Sequence, residues 1–202
     1  MIFMIPLLLF FGLFGSGDDE SKIYYQIQKH RIEKDRLFRK SDSSPLPGKD
    51  KKQFQGLKYY PIDLKYRFEV TLHKYEEAKT IKIITSVGTL RDALKYGYFQ
   101  FNMEGKECKL QVYKMLDVQG KFPNYLFVPF MDVTTGKGSY SGGRYIDLVE
   151  NDSGVYILDF NMAYNPYCAY GKEGYVCPIP PVENRLDVEV RAGEKNYAKS
   201  TH

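Results

Sequence analysis

Residues 65–73 read KYRFEVTLH, in which Tyr66, Phe68, Val70 and Leu72 alternate with Lys65, Arg67, Glu69, Thr71 and His73. An apolar period of two belongs to a strand with one buried and one wet face. The same signal recurs downstream. Ile81 and Ile83 mark a second strand, and Phe99, Phe101 and Met103 a third. Glu104-Gly105-Lys106 then offers a tight turn into Leu110 and Val112, so residues 97–115 read as a hairpin. Leu126–Phe130 (LFVPF) is apolar throughout, as expected for burial on both faces, and Pro129 places it at an edge or a bulge. Arg144–Val149 and Val155–Phe160 read as a hairpin around Asn151–Gly154, and Leu186, Val188 and Val190 as a last alternating strand. Upstream, from Ser21 to about Arg39, the period is helical: Ile23, Ile27, His30, Leu37 and Phe38 share one side, and Ser21 is placed to cap it. The SDSSPLPGK segment (41–49) ends that helix. With no helices between the strands, βαβ units are excluded. The expected fold is mainly β (α+β): an antiparallel barrel or sandwich of about eight to nine short strands with one N-terminal amphipathic helix.

Composition agrees. The 202 residues suit a single domain, assigned to 21–195 with a short tail at 196–202, and they include 18 Tyr and 13 Phe but no Trp, a supply that favours pleated surfaces. The net charge of +4 is spread along the chain in both signs, so no basic stripe for nucleic acid is present. Lys49–Lys52 (KDKK) reads as a solvated loop.

The opening MIFMIPLLLFFGLFG (1–15) has the length of a signal-peptide core and is short for a membrane span. Gly15, Ser16 and Gly17 supply the small residues a peptidase needs, so residues 1–17 read as a signal peptide and the protein as exported, to the periplasm. The alternative is an uncleaved membrane anchor through residues 1–15. No further membrane contact is expected.

Polar residues concentrate between Tyr125 and Glu194. The turn Gly136-Lys137-Gly138-Ser139 lacks the frame of a phosphate loop, but Asp132, Thr134, Thr135 and Tyr140 flank it and Arg144 closes it. Such a loop offers backbone N–H groups and a guanidinium to an anion. Asp159 and Asn161, followed by Tyr164 and Asn165, read either as ordered turns or as a pocket rim, and Glu183 and Asn184 follow the stiff Pro178–Pro181 segment. Asp132, Asp147, Asp159, Glu183 and Glu194 supply carboxylates enough for an acid/base pair. Cys168 and Cys177 read as a disulfide in an exported chain. The competing zinc and nucleophile readings want histidines nearby, and His30, His73 and His202 are distant in sequence. No metal or other cofactor is expected. Cys108 reads as a small buried hydrophobe.

The blocks SPLP, FQGLKYYPID, LFVPFMDVTTG, SYSGGRYIDL, LDFNMAYNPYCAY, CPIPPVENRL and AGEK, in this order, resemble the family called domain of unknown function 1684, from about Ile23 to Lys195. The resemblance implies a bacterial protein, of the exported Bacteroidetes type, and no established activity. The functional expectation is a small polar or anionic ligand bound between residues 132–144 and 159–184. The alternatives are a periplasmic hydrolase pairing a carboxylate with Arg144 and a non-catalytic structural or partner-binding module.

Overall fold

A computed structural model describes residues 16–197. The apolar stretch 1–15, on which the signal-peptide and anchor readings rest, and residues 198–202 lie outside the described residues. Helix α1 (Ser16–Lys40) and a short α2 (Gly48–Gln53) precede strands β1 (Arg67–Thr71), β2 (His73–Ile84), β3 (Leu90–Met103) and β4 (Lys106–Met115). A single-turn α3 (Leu116–Gln119) leads to β5 (Tyr125–Phe130), β6 (Arg144–Val149) and β7 (Val155–Asp159).

Strands β2-β3-β4-β5-β6 form one meandering sheet in that order, and β1 pairs with β7 in a second, all antiparallel. The fold is therefore mainly β with one long N-terminal helix, and its sheets stay open. The barrel alternative is corrected: β2 and β6 end the larger sheet at opposite edges without meeting.

Alternation explains the layering. Tyr66, Val70 and Leu72 from the β1 region, Phe99, Phe101, Leu110 and Val112 from β3 and β4, Leu126, Val128 and Phe130 from β5, and Tyr156, Leu158 and Phe160 around β7 share one buried core. The small sheet thus covers one face of the large one. The opposite face carries Ile83, Ala93, Tyr113, Met115, Phe127 and Tyr145. β5 is buried on both faces as its apolar run requires, and the β3–β4 turn has Glu104 at φ 53° and Gly105 at φ 80°, the left-handed pair of a two-residue hairpin.

Four expectations change. β6 and β7 do not form a hairpin: β6 pairs with β5, and the chain crosses at 150–154 to place β7 on β1, with Arg67 opposite Asp159. β5 is interior rather than an edge. Its pairing with β4 is confined to Tyr113 opposite Phe127, so Pro129 lies where the two strands have already diverged and no ladder bond from its nitrogen is required. Leu186, Val188 and Val190 are buried alternately but run beside the irregular 131–133 segment, tied by Leu186 N–H to Met131 O and Val133 N–H to Val188 O, so they make no regular strand. Seven strands result among the described residues. Helix α1 is already formed at Ser16, which puts Ser21 inside it and not at its cap, and Leu37 is 56% exposed. Ile27 and Phe38 are buried, while Arg31, Lys34 and Asp35 occupy the rest of the packed side.

Candidate functional site

The sequence-predicted polar residues fall into separate networks. Arg144 and Asp132 form a buried ion pair at 3.1 Å. Arg144 also donates to the carbonyls of Val190 (2.9 Å), Glu194 (3.3 Å) and Ala192. Asp132 accepts from Thr134 N (3.0 Å), Thr134 Oγ1 (2.7 Å), Thr135 Oγ1 (3.2 Å) and Val190 N (2.8 Å). The N–H groups of Gly136, Lys137, Gly138 and Ser139 are all donated to carbonyls of Thr134 or Ser139 within the loop, leaving none for an anion. Tyr140 lays its ring against Gly142.

Asp159 and Asn161 make a second network. Asp159 accepts from Arg67 Nη1 (3.0 Å) and from Asn161 N and Nδ2 (2.9 Å each), while Asn161 exchanges hydrogen bonds with the backbone of Asp63 (3.0 and 2.9 Å). Asn184 forms a third. Its amide donates to Gln111 O (2.9 Å) and Pro129 O (2.6 Å) and accepts from Gln111 N (2.7 Å), splicing β4 to β5 where their ladder has opened. Glu183, on the surface, accepts from Lys95 and Tyr113. Asn165 donates to Lys195 O (2.8 Å) and, through its backbone, to Glu194 (2.9 Å). Glu194 itself is 1% exposed and receives Lys34 of α1 at 2.6 Å and the Tyr170 hydroxyl. Gly193 supports it: φ is 73°, and a Cβ there would stand 2.5 Å from Ala163 O.

Tyr164 opens elsewhere. It lies in a groove of about 590 Å³ between α1, which contributes His30, Glu33 and Lys34, and a wall formed by Tyr167, Tyr175 and Pro178. Arg91, Tyr145, Asp147 and Tyr164 continue into a neighbouring depression of about 370 Å³ beside Tyr125 and Phe127. Register explains the floor: in β6, Arg144 and Ile146 face the main core, so Tyr145 and Asp147 face the groove, opposite Pro129 and Phe127 of β5. Asp147 accepts from Tyr125 (2.8 Å) and Tyr164 (2.6 Å). One side of Asp147 meets water, but the groove walls remove much of its bulk solvent. That desolvation raises its pKa, against the hydrogen bonds from Tyr164 and Tyr125 and the charge of Lys34. Burial likewise raises the Tyr164 phenol, and the adjacent Asp147 charge adds to it. The Tyr145 ring packs edge-on against Phe127 (4.7 Å) and Tyr164 (5.7 Å), and its hydroxyl donates to Pro178 O.

Asp147 was visible only as one carboxylate among five. Its signal is its place in RYIDLV, on the same strand face as Tyr145. Tyr125, Arg91 and Lys34 carry no local signature, because tertiary pairing brings them in. Cys168 and Cys177 are bonded, and the loop they close supplies Tyr175 to the groove wall. Among the described residues no group of three or more His, Cys, Asp or Glu is placed to hold a metal ion, and no helix is long and apolar enough to cross a membrane.

With this geometry in place, comparison adds the family. Residues 52–195 match the model described as Protein of unknown function (DUF1684), and the chain belongs to that family. It is similar to the solution NMR structure of an uncharacterized protein of Haloarcula marismortui, at 35% identity and a TM-score of 0.67, over 89% of this chain and 97% of that one. No curated protein matches.

Proposed function

We propose that this protein binds a small polar ligand in the groove between α1 and the β5–β6 face. The observation that carries the reading is Asp147: a carboxylate open to a groove of about 590 Å³ and oriented by two phenols. Concave, mostly apolar sites with a few converging polar groups are where small ligands bind. The residues 132–144 and the 159–161 turn support the reading indirectly, since their networks fix β6 and the chain leading to Tyr164. The test is a fragment screen by amide NMR on the full chain. Saturable shifts clustered at Tyr145, Asp147 and Tyr164 support the reading, and shifts confined to other surfaces reject it.

A hydrolase reading shifts its base from the networked carboxylates to Asp147, whose raised pKa suits proton abstraction better than an ordinary carboxylate. Turnover of an ester or glycoside panel that vanishes in Asp147→Asn supports it; turnover retained in that variant removes Asp147 as base. We further propose that the protein is an exported bacterial one. The apolar residues 1–15 and the Cys168–Cys177 bond both suit an oxidising compartment beyond the membrane. Secretion in a bacterial host with a mature N-terminus near Asp18 is expected, and retention of full-length chain in the cytoplasm overturns this.

A further inference from the structure

We infer that the ligand of this groove carries an organic ammonium group, seated on Asp147 beside the tyrosine rings. The inference rests on the ligand-binding reading above and adds the ligand's charge. Two cations bordering the groove are already matched. Lys34 Nζ lies 2.6 Å from Glu194, and Arg91 makes two 2.8 Å bonds to Asp117. His30 adds no charge near neutral pH, because burial, and then the adjacent Lys34, lower its pKa below 6.5. Asp147 has no cation within ion-pairing distance among the described residues and accepts only the hydroxyls of Tyr125 and Tyr164. The unmatched charge on the floor of the groove is therefore negative.

Chemistry narrows the partner further. An ionised carboxylate has about four lone-pair sites, so two accepted hydroxyls leave room for about two more donors. A primary ammonium supplies three. Aromatic faces add attraction for a cation, and Lys34 Nζ already sits 4.6 Å from the centroid of the Tyr164 ring. An anion entering the same place would meet the like charge of Asp147, which has no ion-pair partner among the described residues. The anionic half of the sequence-based expectation is thereby disfavoured.

The experiment compares n-butylammonium, n-butanol and butyrate by amide NMR titration of the full chain near pH 7. Ammonium is expected to shift the Tyr145, Asp147 and Tyr164 amides saturably and to bind about tenfold or more tighter than n-butanol, as a charged hydrogen bond implies. In Asp147→Asn that preference should disappear, and the same spectra report whether the variant is folded. The wild-type comparison stands without the variant. Binding of n-butanol or butyrate in the groove with equal or greater affinity overturns the charge assignment and leaves the ligand site standing. If no probe shifts the groove but a fragment of another class does, the ammonium assignment alone fails. If nothing binds there, both fail.

Discussion

Arg144 and Asp132 meet at 3.1 Å with side chains 1% and 0% exposed, and their other polar contacts lead to the backbone at 190–194, to the N–H of Thr134 and to the hydroxyls of Thr134 and Thr135. A guanidinium used this way is a bracket. It holds the irregular C-terminal segment against the end of β6, where no ladder does so. Arg144→Ala leaves Asp132 buried and unpaired, and is expected to cost about 3–5 kcal/mol of stability in urea unfolding. A variant as stable as wild type, with ligand binding abolished, would show instead that Arg144 contacts the ligand.

Lys34 and Glu194 dock α1 onto the body of the protein, across a contact where the helix side chains are polar. Because Glu194 is nearly inaccessible, the pair is shielded from salt in a way a surface bridge is not. A double-mutant cycle of Lys34→Met and Glu194→Gln should give a coupling of about 1–3 kcal/mol, little changed by moderate salt. Additive effects would mean the helix is held by its other contacts, among them buried Ile27 and Phe38, Arg31 on the carbonyl of Tyr60 and Asp35 on the N–H of Leu57.

Asp147 and Glu150, three positions apart at the end of β6, titrate in opposite senses. Desolvation is the largest influence on Glu150 and acts upward, but hydrogen bonds from Lys114, Lys74 and Tyr96 outweigh it and bring the pKa from 4.5 to about 2. Its stabilisation is present above pH 4.5 and is lost as pH falls toward about 2. Asp147 is raised above 3.8, so the folded state holds that proton more tightly than the unfolded chain does. Its favourable contribution is complete below pH 3.8 and is lost as pH rises through the folded value. Urea midpoints across this range should show a flatter acid limb in Glu150→Gln. They should show a smaller loss on the rising side in Asp147→Asn. Identical profiles in all three proteins would contradict both assignments.

The strands were legible because their periodicity is local: Phe68, Val70, Phe99, Phe101 and Leu110 are core for the reason their spacing gives. Pairing partners were less legible. Asn151–Gly154 has turn chemistry, with Asn151 Oδ1 accepting from Gly154 N at 2.9 Å, yet the turn redirects β7 to the other sheet, where Phe160 packs edge-on with Phe130 at 5.2 Å. Polar density misled in a related way. Asp132, Asn161 and Asn184 look like a site in sequence because irregular backbone needs side chains to satisfy it. The groove draws on α1, β3, β5 and β6, and no single segment of sequence contains enough of it to stand out.

The Cys168–Cys177 bond joins this frame to the groove. It closes a loop whose ends are 9 residues apart, and Ser86, just past β2, is tied to it by its N–H to Cys177 O (2.8 Å) and by Cys177 N–H to its hydroxyl (3.2 Å). Tyr175, on that loop, and Tyr167, one residue before it, pack edge-on at 5.1 Å and line the groove. Replacing both cysteines by Ala releases loop-closure entropy to the unfolded chain and should lower stability by roughly 2–3 kcal/mol. The effect on binding should be separate. With the loop freed, Tyr175 must be ordered each time a ligand binds, so affinity in the groove should fall even well below the melting temperature, while Asp147 keeps its hydrogen bonds from Tyr125 and Tyr164. Measuring urea midpoints and groove titrations on the same double variant separates the two consequences. An unchanged affinity would place the ligand entirely on the β5–β6 floor and exclude the disulfide loop from the site.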